Sequence, residues 1–242
     1  MNIVGNTDVG RIRAKNEDAF DFGYFEDGTA WAVVCDGMGG VHGGKIASSV
    51  AIKMVSEKIK KCYNKSMPVA SLENLLLSAI TTANVTVFDR GSVQDDLKGM
   101  GTTIVAAVVK NNEACIAHVG DSRAYIISGN DIKQITKDHS LVQEMLDKGQ
   151  ITESEFENTP IKNIITRAMG IGEEIDIDFD FVCVNEGDAI LLCSDGLSGL
   201  VDKKTLLSMY KETEFCALAD KYIEKANELG GRDNITVVVM KG

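Results

Sequence analysis

The sequence predicts an α+β fold in which helices cover an antiparallel sheet or sandwich. Short runs rich in Val and Ile, several of them alternating apolar and polar, read as strands. Polar connections such as Lys110–Glu113 (KNNE) and Ser128–Asp131 (SGND) join neighbouring runs as hairpin turns, which makes the pairing antiparallel. The helical periods stand apart from these runs instead of alternating with them, as an α+β chain requires.

The strand runs are Trp31–Cys35, Thr103–Val109, Ala114–Val119, Ala124–Ile127, Ile177–Val184, Ala189–Cys193 and Ile235–Met240. A helix is expected over Gly44–Tyr63, where Ile46, Val50, Met54, Ile59 and Cys62 recur at helical spacing. A second is expected over Ser71–Arg90, with Leu72, Leu75, Leu76, Ala79, Ile80, Ala83 and Val87 on its face. Leu206–Leu229 repeats the pattern with a break near Glu214. These stripes are core faces. A shorter helical stretch, Leu141–Lys148, follows Asp138 and Ser140, either of which could cap it.

The 242 residues are expected to form one continuous domain, 1–242, since the two prolines, Pro68 and Pro160, lie in no linker-like tract and no repeat is visible. Hydrophobic residues make up 44% of the chain, enough for a core. The 36 acids against 25 bases leave a net charge of −11, which argues against nucleic-acid binding. The start, MNIVGNTDVGRIRAK, has no apolar signal region, and no apolar run approaches the ~18 residues of a membrane span. None of the six cysteines forms a C-x-x-C pair, so zinc and disulfides are not expected. The expectation is a cytoplasmic protein without membrane insertion, and a monomer.

The polar motifs fall between the predicted elements. Two apolar runs end in Asp-Gly, which places Asp36 and Asp195 at strand tips. Residues 11–18, RIRAKNED, offer Glu17, Asp18 and two of the chain's six arginines, against nineteen lysines. Arginine is suited to bidentate phosphate or carboxylate contacts. Arg123, Arg167 and Arg232 read equally as structural ion pairs. Asp121 in VGDSRAY suits a hairpin turn as well as a metal, and Asp233 in GGRDN stands at a strand edge. The glycines of DGMGG allow close backbone approach, and the Gly37 carbonyl can serve as a hard oxygen ligand. The loop lacks the G-K-[ST] of a P-loop.

Other chemistries lack their parts. There is no G-x-S-x-G elbow. The histidines are scattered, and His118 lies inside a strand run. Cys35 and Cys193 sit in apolar runs that raise a thiol pKa. What remains is a set of loop carboxylates, Asp18, Asp36, Asp121, Asp195 and Asp233, with Arg13 free to hold an anion. All-oxygen ligands select Mg²⁺ or Mn²⁺, and a pair of such ions supports in-line attack on phosphorus. The residues therefore point to a metal-dependent phosphoester hydrolase.

The ordered series RxxNED, DGMGG, GTT, VGDSRAY, TxDHS, ITRAMG, GDxxLLCSDGL and GGRDNITVVV resembles the PP2C-type (PPM) serine/threonine phosphatases, most closely the compact bacterial members, from about Gly5 to Met240. The resemblance implies a central antiparallel β-sandwich flanked by helices on both sides, with two Mn²⁺ or Mg²⁺ ions at one end. By motif, Asp36 would bridge the ions and Gly37 would add its carbonyl. Asp195 and Asp233 would hold the first ion, and Glu17 and Asp18 would act through bound waters. Asp121, with Asp195, would match a third, weaker site. Arg13 would take the substrate phosphate, and residues 141–165 would form a flap beside the cleft. The implied substrates are phosphoserine and phosphothreonine in proteins, attacked directly by a metal-bridging hydroxide, with a cognate Ser/Thr kinase as partner. Three positions depart from the pattern: Met38 stands where animal relatives place a His proposed as general acid, Val41 replaces a His common in bacterial members, and Lys45 stands where an acid is common. Two alternatives remain, a small-molecule phosphoester hydrolase and an inactive PP2C-like interaction module. The intact carboxylate set argues against the second.

Overall fold

The structure, a computed structural model, describes residues 1–39, 43–152, 155 and 164–242. Val41 and His42, and residues 153–154 and 156–163 of the expected flap, lie outside the described residues.

Two five-stranded antiparallel sheets face each other. One has the order β1 (Asn2–Asp8), β12 (Ile235–Lys241), β11 (Ala189–Cys193), β8 (Arg123–Ser128) and β9 (Asp131–Gln134). The other runs β10 (Asp178–Cys183), β7 (Glu113–Val119), β6 (Ile104–Lys110), β3 (Ala30–Cys35) and β2 (Ala19–Tyr24). A small third sheet pairs β4 (Gly37–Met38) with β5 (Gly101–Thr102).

Six helices lie among the described residues: α1 (Gly43–Cys62), α2 (Leu72–Val93), α3 (Leu141–Asp147), α4 (Asp195–Ser198), α5 (Lys203–Glu212) and α6 (Leu218–Glu228). The helix predicted over Leu206–Leu229 is two, separated by a 3₁₀ turn at Phe215–Ala217 close to the expected break. Asp202 caps α5 by accepting the Thr205 N–H at 2.9 Å. Ser140 caps α3, whereas Asp138 spends its carboxylate on Arg123.

Three apolar layers hold the molecule together. Ala30, Ala32 and Val34 of β3 face Ile190 and Leu192 of β11 and Val238 of β12 inside the sandwich. Trp31, Val33 and Cys35, the alternate residues of β3, pack outward under α1 and α2. On the other outer face, Leu191, Val237 and Val239 lie beneath α4, α5 and α6. Both faces of the central strands are therefore buried, which is why β3 reads as an unbroken apolar run. The expected layering, helices on both sides of a sandwich, is what the chain forms.

Strands β1, β2 and β9 were absent from the sequence reading. All three are sheet edges, and β1 and β2 are only half-buried. The four-residue β9, DIKQ, is mostly polar. In these three the exposure of an edge weakens the apolar signal on which strand prediction depends, whereas β10, an edge too, kept enough of it to be read.

Candidate metal centre

Strand register brings the chosen carboxylates to one end of the sandwich. Cys35, the last residue of β3, pairs with Ala19, the first of β2. Ile104 at the start of β6 pairs with Val119 at the end of β7. Cys193 at the end of β11 pairs with Arg123 at the start of β8 and with Val237 near the start of β12. Asp18, Asp36, Asp121, Asp195 and Asp233 each lie one or two residues beyond one of these strand ends.

Together they bound a cleft of about 400 Å³, lined by Arg13, Glu17, Asp36, Gly37, Met38, Asp121, Asp195 and Asp233 among others. Asp18 lies behind this wall, only 1% exposed. All eight residues singled out by sequence are thus adjacent, Glu17 included. A separate cavity of about 300 Å³, lined by Asn111, Asn112 and Glu186 among others, sits at the far end of β6.

Local backbone contacts fix the centre. The Asp36 carbonyl accepts the Thr103 N–H at 2.8 Å and the Thr102 hydroxyl at 2.8 Å. The Asp36 N–H donates to Thr103 Oγ1 at 3.0 Å, and that oxygen lies 2.7 Å from Ser122 Oγ. Gly-Thr-Thr, unremarkable in the sequence, is therefore what sets the height of Asp36. Asn234 stitches the loop before β2: its amide donates to the carbonyls of Val9 (3.0 Å) and Lys15 (2.9 Å) and accepts the Glu17 N–H at 2.8 Å. From α1, Ser48 Oγ donates to the Glu17 carbonyl at 2.5 Å and Lys45 Nζ to the Asp18 carbonyl at 3.0 Å. Lys45, which departs from the resembled pattern, thus touches the acidic strip itself. The glycine after Asp195 is more than a turn residue. It lies in α4, and a Cβ there would come within 1.9 Å of the Asn234 carbonyl oxygen.

The electrostatics follow from burial of like charges. Burial, with Asp18, Asp195, Asp121 and Asp233 nearby, drives the Asp36 carboxyl well above its usual range. Burial raises Asp195 to about 6, with Asp233 adding to the shift and a hydrogen bond from Asp36 opposing it. Asp121 rises to about 7, through burial and then Asp195 and Asp138. Asp18 rises to about 6 through burial, against the pull of hydrogen bonds from Thr236 and Ser194. One oxygen each of Asp18 and Asp195, Oδ1 in both, is buried without a hydrogen-bond partner among the described residues. Buried acids repelling one another, with orphaned acceptor oxygens and no His or Cys lining the cleft among the described residues, fit hard divalent cations such as Mn²⁺ or Mg²⁺.

These shifts set a pH dependence for the metal-free protein. A carboxyl whose pKa is higher folded than unfolded binds protons more tightly in the native state, so its stability contribution is lost as pH rises through the folded pKa. For Asp18, Asp195 and Asp121 that window runs from about 4 to about 7. The gain in melting temperature on adding Mn²⁺ is therefore expected to be small near pH 5 and to grow through pH 6–7, because ions must displace those protons. Melting curves with Mn²⁺ or EDTA across that range check it; a gain independent of pH would place the ions elsewhere.

Arg13 reaches over the cleft and donates from Nη2 to Asp233 Oδ2 at 2.7 Å, its side chain 54% exposed. Of the three arginines read as structural ion pairs, Arg232 forms none with the described residues, and the other two do. Arg123 clamps Asp138 at 2.6 Å and Arg167 pairs with Asp178 at 2.9 Å. Cys35 and Cys193 are wholly buried and their thiols pushed up by desolvation, Cys193 to about 12, so neither is a nucleophile.

His118, His139 and Asp178 form a second group with metal-like spacing. Its hydrogen bonds argue against an ion. The Gly120 N–H donates to His139 Nδ1 at 3.1 Å, which leaves the ring proton on Nε2, 3.2 Å from Asp178 Oδ2. His118 donates from Nε2 to the Lys137 carbonyl at 2.8 Å and stacks on His139. The pair braces the Gly120–Asp121 turn, consistent with a hydrogen-bonded His118.

A helix-covered β-sandwich with buried carboxylates converging at one end defines a protein built for divalent-metal chemistry. Comparison with known proteins narrows the class. Residues 11–231 match the family model described as protein phosphatase 2C. The serine/threonine phosphatase stp of Listeria welshimeri is 39% identical over 244 residues, spanning 100% of this chain and 96% of that protein. The structure of the S. agalactiae serine/threonine phosphatase superposes with a TM-score of 0.92 at 32% identity, covering 100% of this chain and 99% of that one. The catalytic domain of the phosphatase PstP, in complex with two manganese ions, gives a TM-score of 0.84 at 33% identity and covers 98% and 96%. The chain belongs to the protein phosphatase 2C family.

Proposed function

We infer that this protein is a metal-dependent phosphatase that hydrolyses phosphoserine and phosphothreonine in proteins, with Mn²⁺ or Mg²⁺ as cofactor. The observation that carries the reading is the group of buried carboxylates at the cleft floor, whose mutual repulsion once ionised is what bound cations would neutralise. Asp36, the Gly37 carbonyl, Asp195 and Asp233 would hold two ions, Glu17 and Asp18 would contribute through water, and Asp121 with Asp195 would hold a third, weaker one. When bound, the ions supply a nucleophilic water and neutralise the phosphoryl oxygens.

The chain's own groups do the rest. Arg13 stands at the rim on a mobile-length side chain and trades its bond to Asp233 for a bidentate contact with the substrate phosphate. Met38 lines the cleft and offers no proton, so the leaving alkoxide of serine or threonine takes its proton from water. The openness of the cleft suits a phosphorylated side chain presented on a protein. Among the described residues no helix is long and apolar enough to cross a membrane. A single catalytic domain over 1–242, monomeric and cytoplasmic, acting against a Ser/Thr kinase, completes the reading.

The test is a side-by-side assay with Mn²⁺. Phosphothreonine peptides are expected to turn over with higher kcat/KM than metabolite phosphates, and EDTA is expected to abolish both activities. Preference for a metabolite would replace the substrate assignment; turnover that survives EDTA would remove the metal.

A further inference from the structure

Asp18 is held in an unusually one-sided way. Its Oδ2 accepts the Thr236 hydroxyl at 2.6 Å and the Ser194 hydroxyl at 2.8 Å, while its Oδ1 is buried and accepts nothing from the described residues. Both donors are fully buried. The Ser194 hydroxyl has one alternative acceptor, the Asn234 carbonyl, but at the longer distance of 3.4 Å.

Donor counting fixes the direction of the bonds behind these two. A threonine hydroxyl has one proton, and that of Thr236 goes to the carboxylate. The 2.7 Å contact between Thr7 and Thr236 must then be donated by Thr7. Thr7 Oγ1 in turn accepts from the Asn16 side-chain amide at 2.8 Å, and the Asn16 amide oxygen accepts the Asp18 N–H at 3.1 Å. The bonds close a ring: Asp18 backbone, Asn16, Thr7, Thr236, Asp18 carboxylate. Ser194 is locked from the other side, since its Oγ accepts the Thr236 N–H at 3.0 Å. Thr7 and Thr236 are register partners in β1 and β12, and Asp18 leads into β2 of the opposite sheet, so the ring spans the sandwich.

We propose that Thr236 and Ser194 are positioning residues of the metal centre: they hold Oδ2 of Asp18 inside the protein and so keep Oδ1 as the acceptor facing the ions. Rotating the carboxylate would take the acceptor from the Thr236 hydroxyl, leave Ser194 only its long contact to the Asn234 carbonyl, and break the ring, so the rotamer is set before any ion arrives. Outer partners of this kind commonly govern metal affinity by ~10–100-fold. The proposal rests on Asp18 belonging to the ion centre.

The test measures Mn²⁺ binding directly, by the EPR signal of free Mn²⁺ titrated into metal-free protein, beside the Mn²⁺ concentration that gives half-maximal activity. Thr236→Val keeps the shape and removes the hydroxyl. It is expected to weaken Mn²⁺ binding at the Asp18-dependent site ~10–100-fold, and Thr236→Ser is expected to restore it to within about threefold of wild type. Ser194→Ala is expected to weaken binding in the same direction, and it carries the test if Thr236→Val does not fold. Thr236→Val added to Asp18→Asn is expected to cost nothing beyond Asp18→Asn alone. Wild-type affinity in both Thr236→Val and Ser194→Ala overturns the proposal, as does equal loss in Thr236→Val and Thr236→Ser. If Asp18→Asn itself binds Mn²⁺ like wild type, it is the assignment of Asp18 to the centre that fails.

Discussion

Replacing Asp36 by asparagine is expected to remove turnover while leaving the metal-free fold at least as stable as before. The two effects separate because the side chain does different work with and without ions. In the metal-free protein Asp36 is crowded by Asp18, Asp195, Asp121 and Asp233, and its carboxyl is driven to the protonated form. A neutral amide of the same shape can donate the same hydrogen bond to Asp195 and carries no charge to repel. The melting temperature in EDTA is therefore expected to hold or rise. With ions present a carboxylate of the proposed centre is lost, and activity should fall by ~10²–10³-fold or more, the scale on which removal of one preorganised electrostatic group acts. A fall in melting temperature together with retained activity would make Asp36 a structural residue.

Gly37→Ala is expected to behave in the opposite sense, losing both stability and activity. A Cβ on Gly37 would sit 2.1 Å from the Gly44 carbonyl oxygen and 2.7 Å from that of Glu17. Both obstacles are backbone, so relief requires β4 to part from the first turn of α1. Overpacking of this kind costs ~1–3 kcal/mol or more, or a drop of ~2–10 °C for a chain of this size. The Gly37 carbonyl survives the substitution, so any loss of Mn²⁺-dependent turnover reports its displacement. Melting curves in EDTA and kcat at saturating Mn²⁺ check both; an alanine variant as stable and active as wild type would show that the β4–α1 contact is looser than its geometry.

Asp36, Asp121 and Asp195 were legible in the sequence because each follows an apolar run, Asp18 and Asp233 because each sits in a polar motif, and the central strands because both their faces are buried. Asp36 and Asp195 are the clearest cases. The supports were not legible, because they depend on register between distant strands. Thr103 sits opposite Asp36 only because β3 pairs with β6, as Val34 does with Val105. Thr236 reaches Asp18 only because β12 and β2 belong to sheets that face each other. Asn234 carried a weak local signal, as the neighbour of Asp233 in GGRDN, but nothing in the sequence shows that its amide ties down residues 9–17. The edge strands β1, β2 and β9 were missed because they bury too little to leave an apolar pattern, unlike β10, an edge strand whose run was legible.

The central claim is that two divalent ions sit across Asp36. Anomalous diffraction at the manganese edge, from crystals of the protein grown with Mn²⁺, tests it most directly. The account predicts two strong peaks sharing Asp36, one of them also ligated by Asp195 and Asp233. Peaks absent from this cleft, or found only beside His118, His139 and Asp178, would contradict it.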